Sequence, residues 1–103
     1  MITAKLEKDS KKIKLSITGH AMYNPGNDIV CSAASILGQA AVTTVGNMKG
    51  VYSEANMGSG NIEMTVFGDT EEIMKRLAVM TTGFQMLAAA YPEYVEFDCQ
   101  DPF

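Results

Sequence analysis

From Ile29 to Met48 twenty consecutive residues carry no charge, and this run limits the possible folds more than any other feature of the chain. A helix lying on a protein surface needs a face marked for water, and this run has none strongly so marked. A membrane span would hide such a helix, but Ser32, Ser35, Gln39, Thr43, Thr44 and Asn47 make the run too polar for that. The alternative is a helix covered on more than one side, by its own sheet and by a partner subunit. Its apolar stripe reads Val30, Ala33, Ala34, Leu37, Ala41 and Val45. Ala34, Gly38 and Ala41 are small enough to let a second helix approach, so a homodimer packed through such residues is expected.

The flanking segments supply the sheet. Ile2, Ala4 and Leu6 alternate with Thr3, Lys5 and Glu7 over residues 2–7, and Ile13, Leu15 and Ile17 alternate with Lys14, Ser16 and Thr18. Period two with one wet face predicts a hairpin, ending at Gly19-His20. A loop broken by Pro25 and Gly26 follows, and Asp28 is placed to cap the uncharged helix. Residues 51–57 and 61–67 predict two more strands around Gly58-Ser59-Gly60. Asp69 or Thr70 starts a second helix with a stripe at Ile73, Leu77, Met80, Phe84, Leu87 and Tyr91, stopped by Pro92. Residues 94–99 predict a last strand with Val95, Phe97 and Cys99 on one face. The order ββαββαβ over 1–103 implies a single α+β domain, one sheet with two helices on its apolar face.

Charge and cysteine content narrow the function classes. The net charge of −4 argues against nonspecific attraction to nucleic acid. Residues 1–19 hold five lysines against Glu7 and Asp9, whereas residues 50–103 hold nine acids against Lys75 and Arg76. Such an acidic half suits either a basic partner or a solvated face. The opening MITAKLEKDS lacks the apolar stretch of a signal peptide, which predicts a cytoplasmic protein with reduced thiols. One histidine and two distant cysteines do not make a normal zinc site, and no metal or other cofactor is implied.

The chemistry therefore centres on His20 and Cys31. With Asp28 as cap, Cys31 is the third helical residue, where free N–H groups and the positive end of the helix dipole stabilise a thiolate. The sole imidazole lies eleven residues upstream at a strand end, within reach of the helix start if the loop folds back. Such a pair lets the imidazole take the thiol proton and return one to a leaving amine. Spacing alone also fits a solvated histidine and a packed cysteine. Cys99 shares a strand face with Val95 and Phe97, and buried core filler of low reactivity is expected there.

The segment Gly19-His20-Ala21, followed by Gly26, Asp28-Ile29-Val30-Cys31, Ala33 and Ser35, resembles the ribosomal-processing cysteine protease (Prp) family, as does the element order over nearly the whole chain. The resemblance implies a cysteine endopeptidase with Cys31 as nucleophile and His20 as general base. It further implies a homodimer that removes a short N-terminal extension from large-subunit ribosomal protein twenty-seven, cutting after an aromatic pair. The loop between the two residues is then mobile until substrate arrives. Within that reading Asp28 caps the helix or joins the catalytic pair. Backbone N–H groups around Cys31 serve the oxyanion, Ser35 contacts substrate or bonds its own helix, and Gly19 and Gly26 let the loop swing. The His20-to-Cys31 spacing is short for the family, and Ser32 stands where alanine is common, yet neither change removes a group the chemistry needs. Two other classes compete: a noncatalytic ribosome-associated binding module, and a redox-sensing thiol protein.

Overall fold

The computed structural model describes residues 1–99. β1 (Ile2–Lys8) and β2 (Lys12–Thr18) form the predicted hairpin, with Ala4 opposite Ile17 and Leu6 opposite Leu15. The uncharged run is α1 (Ile29–Gly46), followed by the hairpin of β3 (Tyr52–Gly58) and β4 (Asn61–Phe67). Next come α2 (Thr70–Arg76), α3 (Ala78–Ala90) and β5 (Val95–Cys99). The strands make one mixed sheet in the order β3-β4-β2-β1-β5, in which β5 runs parallel to β1 and all other pairs are antiparallel.

The class is α+β as expected, but the second helix is two. Leu77 leaves helical geometry at φ −89° and ψ 2°, and just beyond it the Thr81 hydroxyl donates to the Ala78 carbonyl, a local bond of the kind that bends helices. The break lets α2 pack on β2 while α3 packs on α1 and β5. Ile73, Leu77, Met80, Phe84 and Leu87 remain buried on both sides of it. The apolar periodicity runs straight through the bend, and for that reason does not reveal it.

One face of the sheet is the core. Ile2, Ala4, Leu6, Ile13, Leu15, Ile17, Ile62, Met64 and Val66 all point into it, while Lys5, Lys14 and Glu63 stand on the open face. Each large aliphatic side chain buried there contributes about 1.5–3 kcal/mol relative to exposure. Ile29–Gly46 is long and apolar enough to cross a membrane, yet its stripe lies in this core. That stripe is Val30, Ala34, Gly38, Ala41 and Val45, while Ala33 and Leu37 are half-buried. A Cβ on Gly38 would stand 2.6 Å from Ile62 Cδ1 and 2.8 Å from Ile17 Cδ1. The small residues thus bring the helix down onto its own sheet, and the expectation that Ala34, Gly38 and Ala41 receive a partner helix is corrected.

Cys99 also departs from expectation. It is half-buried rather than buried, because β5 is an edge strand and Cys99 stands at its far end, opposite Leu6. Of the three residues predicted to share a buried face, only Val95 is fully enclosed. Phe97 stacks on Phe84 with ring centroids 5.7 Å apart.

Candidate active site

The end of β2, the start of α1 and the β3–β4 turn converge at one pole of the sheet. Gly19 turns the chain out of β2 at φ +97°, with its α-carbon against the Met1 carbonyl. No other residue combines that dihedral with so close a backbone neighbour without strain. Its N–H donates to the Gly60 carbonyl at 2.9 Å, and the Met1 amino group donates to the His20 carbonyl at 2.7 Å. The backbone on either side of the imidazole is therefore held from two directions, while the ring itself is at the surface.

Cys31 lies in the first turn of α1, half-buried, and its Sγ accepts the Ala21 N–H at 3.2 Å. That bond places the residue after His20 directly on the sulfur. His20 and Cys31 line one cavity of about 260 Å³ together with Ser35, Gln39, Ser59 and Asn61 and an apolar wall that includes Ile2, Ile17 and Ile62. Among the described residues no hydrogen bond joins the imidazole to the sulfur; the ring lies over Gly60. A thiol and an imidazole thus share a cavity without being locked together, an arrangement compatible with a pair that tightens only when substrate binds.

Asp28 does more than cap. Oδ1 accepts the N–H groups of Val30 and Cys31, both at 3.0 Å. Oδ2 accepts those of Tyr23 at 2.9 Å and Asn24 at 3.2 Å. One carboxylate therefore ties the His20–Cys31 loop to the helix that carries the thiol. Tyr23 fixes the same loop edge-on to Tyr91 and Tyr94, with centroids 5.3 and 5.2 Å away. Gly26, at φ +92° with open space around it, makes the loop's turn. Because Asp28 occupies the Val30 and Cys31 N–H groups, these are not free to serve an oxyanion, which corrects the expectation from helix geometry alone. Ser32 places its N–H and its hydroxyl, both at 3.1 Å, on the Asp28 carbonyl.

Desolvation pushes the Asp28 carboxyl upward, but the backbone donors of Cys31, Asn24, Tyr23 and Val30 together outweigh it and hold the group below its usual value of 3.8. An acid depressed in the folded state stabilises that state above its unfolded pKa, and the contribution disappears as pH falls through the folded value. The difference in melting temperature between wild type and Asp28→Asn is accordingly expected to be constant from about pH 5 to pH 7 and to shrink below pH 3.8. A difference unchanged down to about pH 2 would contradict a charged clasp.

Ser35 lies one turn beyond Cys31, where its hydroxyl lines the cavity and makes no bond to its own helix among the described residues. Gln39, Ser59 and Asn61 are additions that sequence reading missed. Gln39 extends the four-residue spacing of Cys31 and Ser35, a polar row along one line of a helix that is legible in the sequence. Ser59 and Asn61 carry no such signal, since only the sheet order brings their turn beside His20. Cys99, at the Leu6 end of the sheet, is remote from Cys31 at the Ile2 end and unsuited to resolve an oxidised Cys31. Among the described residues no group of three or more His, Cys, Asp or Glu is placed to hold a metal ion.

Comparison with known proteins bears on this geometry. The family described as cysteine protease Prp matches residues 1–96. The ribosomal processing cysteine protease Prp of Mycoplasma pneumoniae is 32% identical over 89 residues, covering 84% of this chain and 87% of the relative. The fold is similar to that of an essential ribosomal processing protease Prp from S. aureus in complex with a covalently linked product peptide, with a TM-score of 0.77 and 22% identity over 97% of this chain and 100% of that one. The same S. aureus protein in complex with a substrate peptide gives a TM-score of 0.72 and 21% identity, again over 97% of this chain and 100% of that one.

Proposed function

The chain belongs to the cysteine protease Prp family, and from that premise we propose that it removes the N-terminal extension of large-subunit ribosomal protein twenty-seven in the cytoplasm, with Cys31 as nucleophile and His20 as general base. The observation that carries the reading is the shared cavity, in which the only histidine and a first-turn cysteine face the same space. His20 accepts the thiol proton as Sγ attacks the carbonyl carbon of the second residue of the aromatic pair, giving a tetrahedral oxyanion. The C–N bond then breaks, the imidazolium delivers its proton to the leaving amine, and a thioester remains on Cys31. A water molecule, deprotonated by His20, attacks the thioester; the proton returns to the sulfur and the extension leaves as a carboxylic acid.

The other residues take supporting parts. The Ala21 N–H donates to the Cys31 sulfur and orients it in the cavity that Cys31 lines. With the Val30 and Cys31 donors occupied, the Ser35 hydroxyl and the Gln39 carboxamide are the side-chain donors that α1 offers to an oxyanion. Asp28 holds the loop so that Ala21 stays on the sulfur, and Gly19 and Gly26 supply the dihedrals the loop requires. The test is a peptide spanning the extension junction, incubated with the protein under reducing conditions and weighed by mass spectrometry. Two fragments meeting after the aromatic pair are expected, and a peptide left whole by the wild type would overturn the reading.

The same reading includes a homodimer, whose surface differs from the one anticipated from small residues. Ile36, Val79 and Met86 are 63%, 81% and 66% exposed and border shallow apolar hollows between α1 and α3, with Leu37 and Gly83 at the centre. A two-fold contact with a second copy covers this face with its own like. Sedimentation equilibrium at micromolar concentration is expected to give twice the 11.1 kDa chain mass, and the double variant Val79→Glu, Met86→Glu to give the single chain. A wild type sedimenting as one chain would contradict the dimer.

A further inference from the structure

The ring of His20 has no hydrogen-bond partner among the described residues, so what fixes its position is the surface it lies on. That surface is Gly60. Gly60 is the second residue of the two-residue turn between the paired Gly58 and Asn61, and its carbonyl accepts the Gly19 N–H at 2.9 Å. A Cβ built on Gly60 would stand 2.6 Å from His20 Nε2, 2.9 Å from Cε1 and 3.2 Å from Cδ2. Carbon atoms do not approach so closely, and the soft partner in the clash is the ring, which can pivot about its side-chain torsions while the turn stays in place.

Building on the catalytic pair proposed above, we propose that Gly60 is a positioning residue for the reaction: its bare α-carbon is the seat that holds the His20 imidazole at the mouth of the cavity, in reach of the Cys31 proton. Two demands coincide at Gly60. The backbone sits at φ +67°, which favours glycine for local reasons alone. The contact with the ring is a separate demand, and it links the β3–β4 hairpin to the chemistry. Gly50 allows the two to be told apart. It has a similar φ of +77° but nothing within 4 Å of a built Cβ, so Gly50→Ala carries the backbone cost without the contact. Gly60→Asn does the converse, because asparagine tolerates positive φ yet still brings a Cβ to the ring.

The experiment uses the single histidine as its own probe. The ring carbon–proton signals of His20 are recorded by NMR at one pH for wild type, Gly60→Ala, Gly60→Asn and Gly50→Ala, and each protein is assayed on the junction peptide. Both Gly60 variants are expected to shift the ring signals and to lower kcat about 10²-fold, the scale of a misplaced catalytic group, with KM little changed. Gly50→Ala is expected to keep the wild-type ring signals and kcat, whatever it loses in melting temperature. Unmoved ring signals or wild-type kcat in the Gly60 variants would overturn the seat, and so would an equal ring shift in Gly50→Ala. A wild type that leaves the peptide whole while only the Gly60 variants move the ring would end the protease reading and leave the seat standing.

Discussion

Cys31→Ala is expected to abolish cleavage of the junction peptide, a loss on the order of 10⁶-fold by analogy with removal of a protease nucleophile, while the protein stays folded. The size follows from the proposed mechanism: without the sulfur there is no thioester, and a solitary imidazole with water cannot replace a two-step route. The fold should survive because the side chain is only half-buried and the helix start is secured by Asp28, whose bonds to the Val30 and Cys31 N–H groups are made to backbone. The Ala21 N–H loses its sulfur acceptor, at a cost of about 1 kcal/mol. Circular dichroism and peptide affinity near wild type, together with no cleavage, are the expected result. Residual turnover above that of His20→Ala would show that the sulfur is not the attacking atom.

His20→Ala is expected to lower turnover by about 10²–10⁴-fold, the usual worth of a positioned general base, with its melting temperature near that of the wild type. The imidazole is at the surface, and the bond at this residue, from the Met1 amino group, is to the backbone carbonyl, which alanine retains. The variant also opens space above Gly60 at the mouth of the cavity. Imidazole added to the buffer is therefore expected to restore part of the rate to His20→Ala and none to Cys31→Ala. Turnover within about twofold of wild type would remove His20 from the proton-transfer role assigned to it.

The reach of the sequence can be judged from these same residues. Alternation in residues 2–7 and 13–18 locates the first hairpin to within a residue, because a strand with one buried face imposes period two. Asp28 as N-cap is also legible, since an acceptor before a long apolar run satisfies donors that would otherwise be unpaired, and with it comes the place of Cys31 in the first turn. What a one-dimensional pattern cannot carry is whether a capping carboxylate has a second oxygen to spend. Asp28 spends it on Tyr23 and Asn24, and the donors needed there are on a loop without periodicity.

Sheet order is the other gap. The approach of Gly60 to His20 depends on β4 lying next to β2, with Thr18 opposite Asn61, a long-range pairing that no local spacing encodes. Small residues are ambiguous for a related reason. Gly38 has the same signature whether it admits a partner helix or its own sheet, and only the contacts with Ile17 and Ile62 decide. Alternation places Cys99 on the core-facing side of its strand, which is correct for direction and silent about β5 being at the edge.

The most direct test of Cys31 as a nucleophile that recognises an aromatic pair is its covalent capture. A peptidyl chloromethyl ketone ending in two phenylalanines alkylates a cysteine by forming a carbon–sulfur bond and expelling chloride. Mass spectrometry of the native protein, followed by peptide mapping, is expected to find one adduct per chain, on Cys31, with Cys99 unmodified and a matched ketone ending in two glycines reacting far more slowly. An adduct on Cys99, equal modification of both thiols, or equal rates with the two ketones would contradict the assignment.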